Sequence, residues 1–242
     1  MFEFTFTLME QLLFLDIETV SEYKNFEELP ERIKPLWNKK AQILSKGEIT
    51  GEDLYAEKAG IYSEFGKIVV IGLGFLTGDL NKNPGLRVKA LASHNEEEIL
   101  KQFSNILDRM DSKNTILVAH NGKEFDFPYL SRRMLIKNIP LPETLNISGK
   151  KPWEIQHLDT MEMWKFGDWK SYTSLDLLAA IFDIPSSKSD IDGSMVSGIY
   201  HGEKDLEKIS KYCIKDVVVC AQVFMKLRGL NLIEANNIQI VD

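Results

Sequence analysis

Apolar residues first gather at Leu12-Leu13-Phe14-Leu15-Asp16-Ile17-Glu18-Thr19, where an unbroken run gives way to alternation with carboxylates. Such a run suits a strand buried on both faces that ends in a site. Because side chains alternate across a strand, Asp16 and Glu18 project to the same side. A second strand is predicted at Lys67 to Phe75 and a third at Leu86 to Ala92, with the turn-forming Asn83-Pro84-Gly85 between them, giving an antiparallel meander. Before the second strand, Glu27 to Leu44 and Thr50 to Ala59 have helical spacing, the latter with Thr50 as N-cap and Asp53 at N3. Residues 1–8 alternate like a further strand, although Met9 is an alternative start.

Asn95 opens a helix reaching about Met110, with Glu96-Glu97-Glu98 in its first turn. These acids favour the helix N-terminus, Glu98 as a capping-box partner, and are assigned to capping. The β-branched run Asn114 to Ala119 predicts a strand, and Phe125 to Lys137 a helix stopped by Pro140 and Pro142. A short strand near Ile155 to Leu158 and a short helix after Asp159-Thr160 come next, then a helix at Thr173 to Phe182. Pro185 to Gly202 reads as a polar loop and Glu203 to Arg228 as a long helix. The pattern predicts one α/β domain over residues 1–242: a central mixed sheet, antiparallel meander plus parallel strands, flanked by helices, with a helical insertion at about 21–62.

A chain of 242 residues, 44% hydrophobic, can bury a proper core. No apolar run is long enough to span a bilayer and no basic segment of a signal peptide precedes one, so the expectation is a cytoplasmic protein without membrane contact. A net charge of −7 argues against coating long stretches of nucleic acid, but leaves room for a short-footprint nuclease whose acids are matched by bound metals. Cys213 and Cys220 sit seven residues apart on one predicted helix, which separates their Cα atoms by about 10 Å, too far for a disulfide. His94, His120, His157 and His201 lack zinc spacing.

Three segments carry candidate chemistry. Asp16 and Glu18 repel each other unless a counter-charge intervenes, and hard oxygen ligands suit Mg²⁺ or Mn²⁺. The bland alternative is a solvated strand edge, and Asp205-Leu206-Glu207 repeats the D-x-E pattern where no chemistry is assigned. His120-Asn121-Gly122-Lys123-Glu124-Phe125-Asp126 places Asp126 at a helix start beyond a strand's C-terminal end, where ligands collect in open α/β sheets; the alternative is an acid favoured by the helix dipole. On the long helix, Leu206, Ile209, Cys213, Val217, Cys220 and Phe224 form an apolar stripe bordered by Tyr212 and Asp216. A carboxylate turned toward a sheet is costly unless it is compensated. Tyr172-Thr173-Ser174-Leu175-Asp176 fits the same Y-x-x-x-D spacing, but capping explains Asp176.

In this order the segments resemble the DEDD superfamily of 3′-to-5′ exonucleases on a ribonuclease H-like fold: Asp16 and Glu18 match its first motif, Asn121, Phe125 and Asp126 its second, Tyr212 and Asp216 its third. Tyr212, with Lys211 where the other branch has histidine, is similar to the DEDDy branch. Glu64 to Ile68 and Tyr212 to Val217 resemble stand-alone bacterial proteins related to the exonuclease domain of family B DNA polymerases.

The resemblance implies a two-metal 3′–5′ exonuclease that removes 5′-mononucleotides from single-stranded ends, DNA first and RNA also admissible. Asp16 would bridge two Mg²⁺ (or Mn²⁺) ions, Glu18 and Asp216 would complete the first site, and Asp126 would hold the second. Tyr212, whose phenol titrates near 10 when unperturbed, would orient the nucleophilic water. Thr19, Asn121 and Phe125 would touch the terminal nucleotides, Phe125 being equally a core residue. The rivals are a ribonuclease H-like endonuclease or resolvase, against which Tyr212 counts, and a binding module without catalysis, against which the full carboxylate set counts. Between Lys150 and Tyr172, Trp153, Trp164, Phe166, Trp169 and Tyr172 interleave with lysines, either stacking bases or packing under a long connection.

Overall fold

In the computed structural model, which describes residues 12–111, 114–168, 172–185 and 191–241, the first apolar run becomes β1 (Leu12–Ser21). The strand-like stretch at 1–8 lies outside the described residues. β1 continues beyond its carboxylates, with an irregularity between Glu18 and Thr19, so the acids interrupt a strand where a strand end was expected. It pairs antiparallel with β2 (Gly66–Asp79), which turns through residues 80–82 into antiparallel β3 (Asn83–Ala92). Asn83-Pro84-Gly85, expected as the turn, thus opens β3. β4 (Ile116–Ala119), β5 (Leu158–Asp159) and β6 (Ile238–Ile240) add by parallel pairing, and the order across the sheet is β5-β4-β1-β2-β3-β6.

β1 is central, so both of its faces are covered. Leu13, Leu15 and Ile17 join the core made with α3 (Glu96–Arg109) and α4 (Asp126–Ile136), through Leu100, Phe103, Phe127 and Leu130. Leu12 and Phe14 pack on the other side against α7 (Leu206–Leu227), where Phe14 meets Phe224 edge-on at 5.4 Å. Asp16 and Glu18 continue this second set by alternation and lie under α7. Gly72 pairs with Asp16, and Gly74 with Phe14. A Cβ on Gly72 would come within 2.8 Å of Val217 and 2.9 Å of Cys213, and one on Gly74 within 2.7 Å of Val217. The glycines therefore let α7 sink close to the sheet beside the carboxylates.

The connection from β1 to β2 holds α1 (Lys34–Ser45) and α2 (Gly51–Lys58). The helix expected from Glu27 breaks at Pro30 into a short turn, Phe26–Glu28, followed by α1. Thr50 caps α2 by accepting from Asp53 N, as expected. Trp37, fully buried, meets Tyr55 at 5.3 Å and Phe65 at 5.0 Å, giving the connection its own small core. Arg133 of α4 bonds Glu22, Glu96 and the Ser63 carbonyl, fastening both ends of this connection to the sheet. Glu96 is therefore a buried ion-pair partner that also accepts from Ile68 N at 2.8 Å, more than the cap it was assigned to be. Glu98 reaches the side chains of Ser93 and Asn95, and the Asn95 amide bonds Ser93 Oγ, so the expected capping box is replaced.

α5 (Thr160–Lys165) and α6 (Leu175–Ile181) follow β5. The expected polar loop before α7 winds into helical turns over residues 193–203, burying Val196, Ile199 and Tyr200 against Val20, Val69 and Val70. Their i, i+3, i+4 spacing explains the helix. Cys213 and Cys220 are buried free thiols.

Candidate active site

Asp16 and Glu18 reach α7 from β1, and the thiol of Cys213 donates to both the backbone oxygen and Oδ2 of Asp16 at 3.4 Å. One ligand atom from each of Asp16, Glu18 and Cys213 lies within 4.8 Å of the other two. Asp126 arrives from α4 by a backbone requirement. β4 pairs with β1 as far as Phe14–Val118 and ends at Ala119, and Ile17 N, beyond that pairing, donates to Asp126 Oδ1 at 3.2 Å. Tyr212 and Asp216 stand one turn apart on α7, and the Tyr212 hydroxyl hydrogen-bonds Asp216.

These groups perturb one another. Burial, then Glu18, Asp216 and Asp126, push Asp16 well above the usual carboxylate range. Glu18 rises for the same reasons, burial first and then Asp216 and Asp126. Asp126 is pushed up to about 7, chiefly by burial and by Asp159 and Asp216, against lowering bonds from its own amide and Ile17 N. Burial and the neighbouring carboxylates raise the Tyr212 phenol far above its ordinary value. Among the described residues no lysine or arginine forms an ion pair with Asp16, Glu18 or Asp126. A buried acidic cluster without a protein cation stays ionised at neutral pH only if cations enter, and its all-oxygen donors with one thiol beside them fit hard divalent ions.

Around this centre, Asn121 adopts a left-handed φ of 63°, and its buried Oδ1 has no protein partner. Thr19 hydrogen-bonds the Tyr129 hydroxyl, which donates to the Gly60 carbonyl at 2.8 Å. Phe125 is half-buried, 5.3 Å from the Tyr129 ring and packed on the core below α4. The competing Asp176 sits in the first turn of α6, where Ser174 supplies the cap to Leu177 N, and it is absent from the groups that perturb Asp16, Glu18 or Asp126. The histidines hold structure: His157 accepts from Leu117 N and donates to the Thr144 carbonyl, while His94 and His201 meet Tyr200 and Ser21.

Two contributors escaped sequence reasoning. Asp159, almost fully buried, accepts from Asn121 N, Lys123 N and Met161 N at 2.9–3.1 Å, and so clamps the turn leading to Asp126. In sequence it looks like an ordinary helix start, because its decisive partners lie almost forty residues earlier. Cys213 read as part of an apolar stripe, and that it borders Asp16 depends on Gly72. The aromatic segment divides: Trp164 packs on Phe182 at 5.6 Å, whereas Trp153, Phe166 and Tyr172 are exposed, and Trp169 lies outside the described residues. A surface groove of about 700 Å³ lined by Phe26, Asn38 and Gly51 lies at the helical connection, away from the carboxylates. Among the described residues no helix is long and apolar enough to cross a membrane.

Residues 61–235 match a family described as predicted 3′-5′ exonucleases related to the exonuclease domain of PolB. A DNA polymerase of Pyrococcus glycovorans is 24% identical over 140 residues, an overlap of 51% of this chain and 17% of the polymerase. The family B DNA polymerase of the hyperthermophilic archaeon Pyrobaculum calidifontis superposes with a TM-score of 0.55 at 14% identity, covering 89% of this chain and 24% of that one. The chain thus spans about a quarter or less of each polymerase, and the mixed six-stranded sheet flanked by helices has the ribonuclease H-like fold of a polymerase exonuclease domain.

Proposed function

The chain belongs to the family of predicted 3′-5′ exonucleases related to the exonuclease domain of PolB, and from that premise we propose that it is a metal-dependent DEDDy-type exonuclease removing 5′-mononucleotides from the 3′ ends of single-stranded DNA. The observation that carries the reading is that Asp16, Glu18, Asp126 and Asp216 come from a strand and two helices to one place, where neighbouring carboxylates raise Asp16, Glu18 and Asp126, and these three form no ion pair with a lysine or arginine among the described residues. DNA is preferred over RNA because the related proteins are DNA polymerases. Residues 1–242 are taken as one such domain, with the α1–α2 connection as its insertion.

Asp16, Glu18, Asp126 and Asp216 would hold two Mg²⁺ or Mn²⁺ ions. Bound there, such ions lower the pKa of water and stabilise charge on the phosphate being cleaved. The protein does the rest. With its phenol held protonated, Tyr212 is unsuited to act as a base; its hydroxyl, tied to Asp216, orients the attacking water. Asn121, whose backbone N–H is held by Asp159 and whose side-chain oxygen has no protein partner, is assigned to accept a donor from the terminal nucleotide. Thr19 and Phe125 are assigned to the last sugar and base. Asp126 bonded to Ile17 N keeps the two carboxylate-bearing elements in register.

Single-stranded DNA and RNA oligonucleotides incubated side by side, first with Mg²⁺ and then with EDTA, test the reading. DNA should yield 5′-mononucleotides faster than RNA, and EDTA should stop both. Undiminished hydrolysis in EDTA would contradict it.

A further inference from the structure

Phe166 combines two unfavourable features at one position. Its ring is 86% exposed, and its backbone lies at φ 45°, a left-handed conformation in which a bulky side chain is an outlier. It ends α5, a place where glycine, asparagine or lysine would cost less, and Gly167 follows it immediately. Packing does not account for the ring, because the segment already has its core anchor in Trp164 against Phe182. Tyr172, at the far end of the same segment, is 69% exposed.

This segment is pinned to the turn that leads to Asp126. His120 bonds Thr160 Oγ1 through Nδ1 and donates to the Thr173 carbonyl through Nε2, both at 2.9 Å, so one imidazole ties down both ends. Burial lowers its pKa, which keeps the ring neutral and suits one donor and one acceptor nitrogen. Asp159 adds its bonds to Asn121 N and Lys123 N, and Lys123 pairs with Glu162 at 2.8 Å. Tyr172 thereby stands next to a residue bonded to the neighbour of Asn121, and Phe166 ends the helix that Asp159 opens.

We propose that Phe166 and Tyr172 form a base-stacking platform for the single strand trailing behind the terminal nucleotide. The proposal rests on the exonuclease reading and adds the surface that holds the rest of the substrate. Bases stack on aromatic faces whatever their identity, which suits an enzyme that shortens any sequence. Charge near Phe166 is close to balanced, with Lys165 beside it, Asp168 two residues on and Glu162 already paired to Lys123. The platform's contribution is therefore stacking, and it survives added salt better than phosphate contacts do.

The test compares wild type with Phe166→Gly and Tyr172→Ser by fluorescence anisotropy of labelled dT12 and dT2, with Ca²⁺ in place of Mg²⁺. Each variant should bind dT12 at least about fivefold more weakly. Binding of dT2, which supplies only the terminal nucleotides, should fall much less, and the dT12 ratio should hold as salt rises. The melting temperature of Phe166→Gly should stay level or rise, because glycine accepts the left-handed backbone, and Phe166→Trp should retain binding. Unchanged dT12 affinity overturns the platform while leaving the exonuclease intact if the wild type still degrades strands; the rings would then mark a protein-facing surface. A lowered melting temperature with equal losses on dT12 and dT2 also overturns it, in favour of packing. A wild type that neither binds nor degrades strands removes both the platform and the reading beneath it.

Discussion

At the scale of single residues, two Y-x-x-x-D pairs make opposite forecasts. Asp216→Asn keeps the shape of the side chain but removes a charge from the cluster, and turnover should fall by orders of magnitude. Tyr212→Phe leaves the carboxylates and removes one positioned hydroxyl, a loss of about 10²-fold. Asp176→Asn should leave the rate nearly unchanged, and the weaker interaction with the N-terminus of α6 should cost less than about 1 kcal/mol. Steady-state rates for the three variants check this, and an inactive Asp176→Asn beside an active Asp216→Asn would reverse the assignment. Asp126 gives a second forecast. Its folded pKa is raised to about 7, so the stability it confers is complete below the unfolded value of 3.8 and is lost as pH rises toward 7. Without metal, Asp126→Asn should match wild type near pH 3.5 and exceed it at pH 8 by on the order of 2 kcal/mol, the Asn oxygen still accepting from Ile17 N. His157 works with the opposite sign over pH 6.5 to 4, its pKa lowered to about 4 by burial, so the two proteins must be melted at the same pH. A wild type more stable than Asp126→Asn at pH 8 without metal would contradict the forecast.

At the scale of elements, the site depends on how closely α7 approaches the sheet. Gly72→Ala places a methyl group 2.8 Å from Val217 and 2.9 Å from Cys213. Val217 and Cys213 must give way, at a cost of about 1–3 kcal/mol, which disturbs Tyr212 and Asp216 on the same helix. Activity should therefore fall further than stability alone explains, as measured by turnover under conditions where the variant is fully folded. Arg133→Met should be severe for a different reason: it removes the guanidinium bonds to Glu96 and Glu22 and leaves them, among the described residues, only Lys137 as a cation, at 3.5 and 3.2 Å, costing up to about 3–5 kcal/mol in denaturant titration. Arg133→Met with Glu96→Gln should recover part of that, because the glutamine oxygen keeps the Ile68 N bond. The strands and long helices were legible in periodicity and caps, as Asn95 and Thr50 show by accepting from Glu97 N and Asp53 N. Long-range partnerships were not. Glu96 sits among first-turn acids and meets Arg133 only in the tertiary structure, and the 193–203 turns hide their apolar spacing between glycines and polar residues.

At the scale of the whole molecule, each sequence segment contributes to one place because the sheet order puts β1 between β4 and β2. β4 hands Asp126 to β1, and β2 gives α7 the room to bring Tyr212 and Asp216. The carboxylates could be picked out in sequence since acids interrupting a buried strand or facing a sheet are costly. Cys213 and Asp159 could not, because their roles arise only from what the fold brings beside them. Family membership carries the predicted 3′-5′ exonuclease reaction and its direction, while the proposed metal dependence rests on the cluster. A time course on 5′-labelled single-stranded DNA with Mg²⁺ addresses that claim most directly. The label should stay on fragments that shorten step by step from the 3′ end, with no shortening in EDTA or with Asp216→Asn. Immediate release of the label as a mononucleotide, or internal cuts that leave long fragments of fixed length, would contradict it.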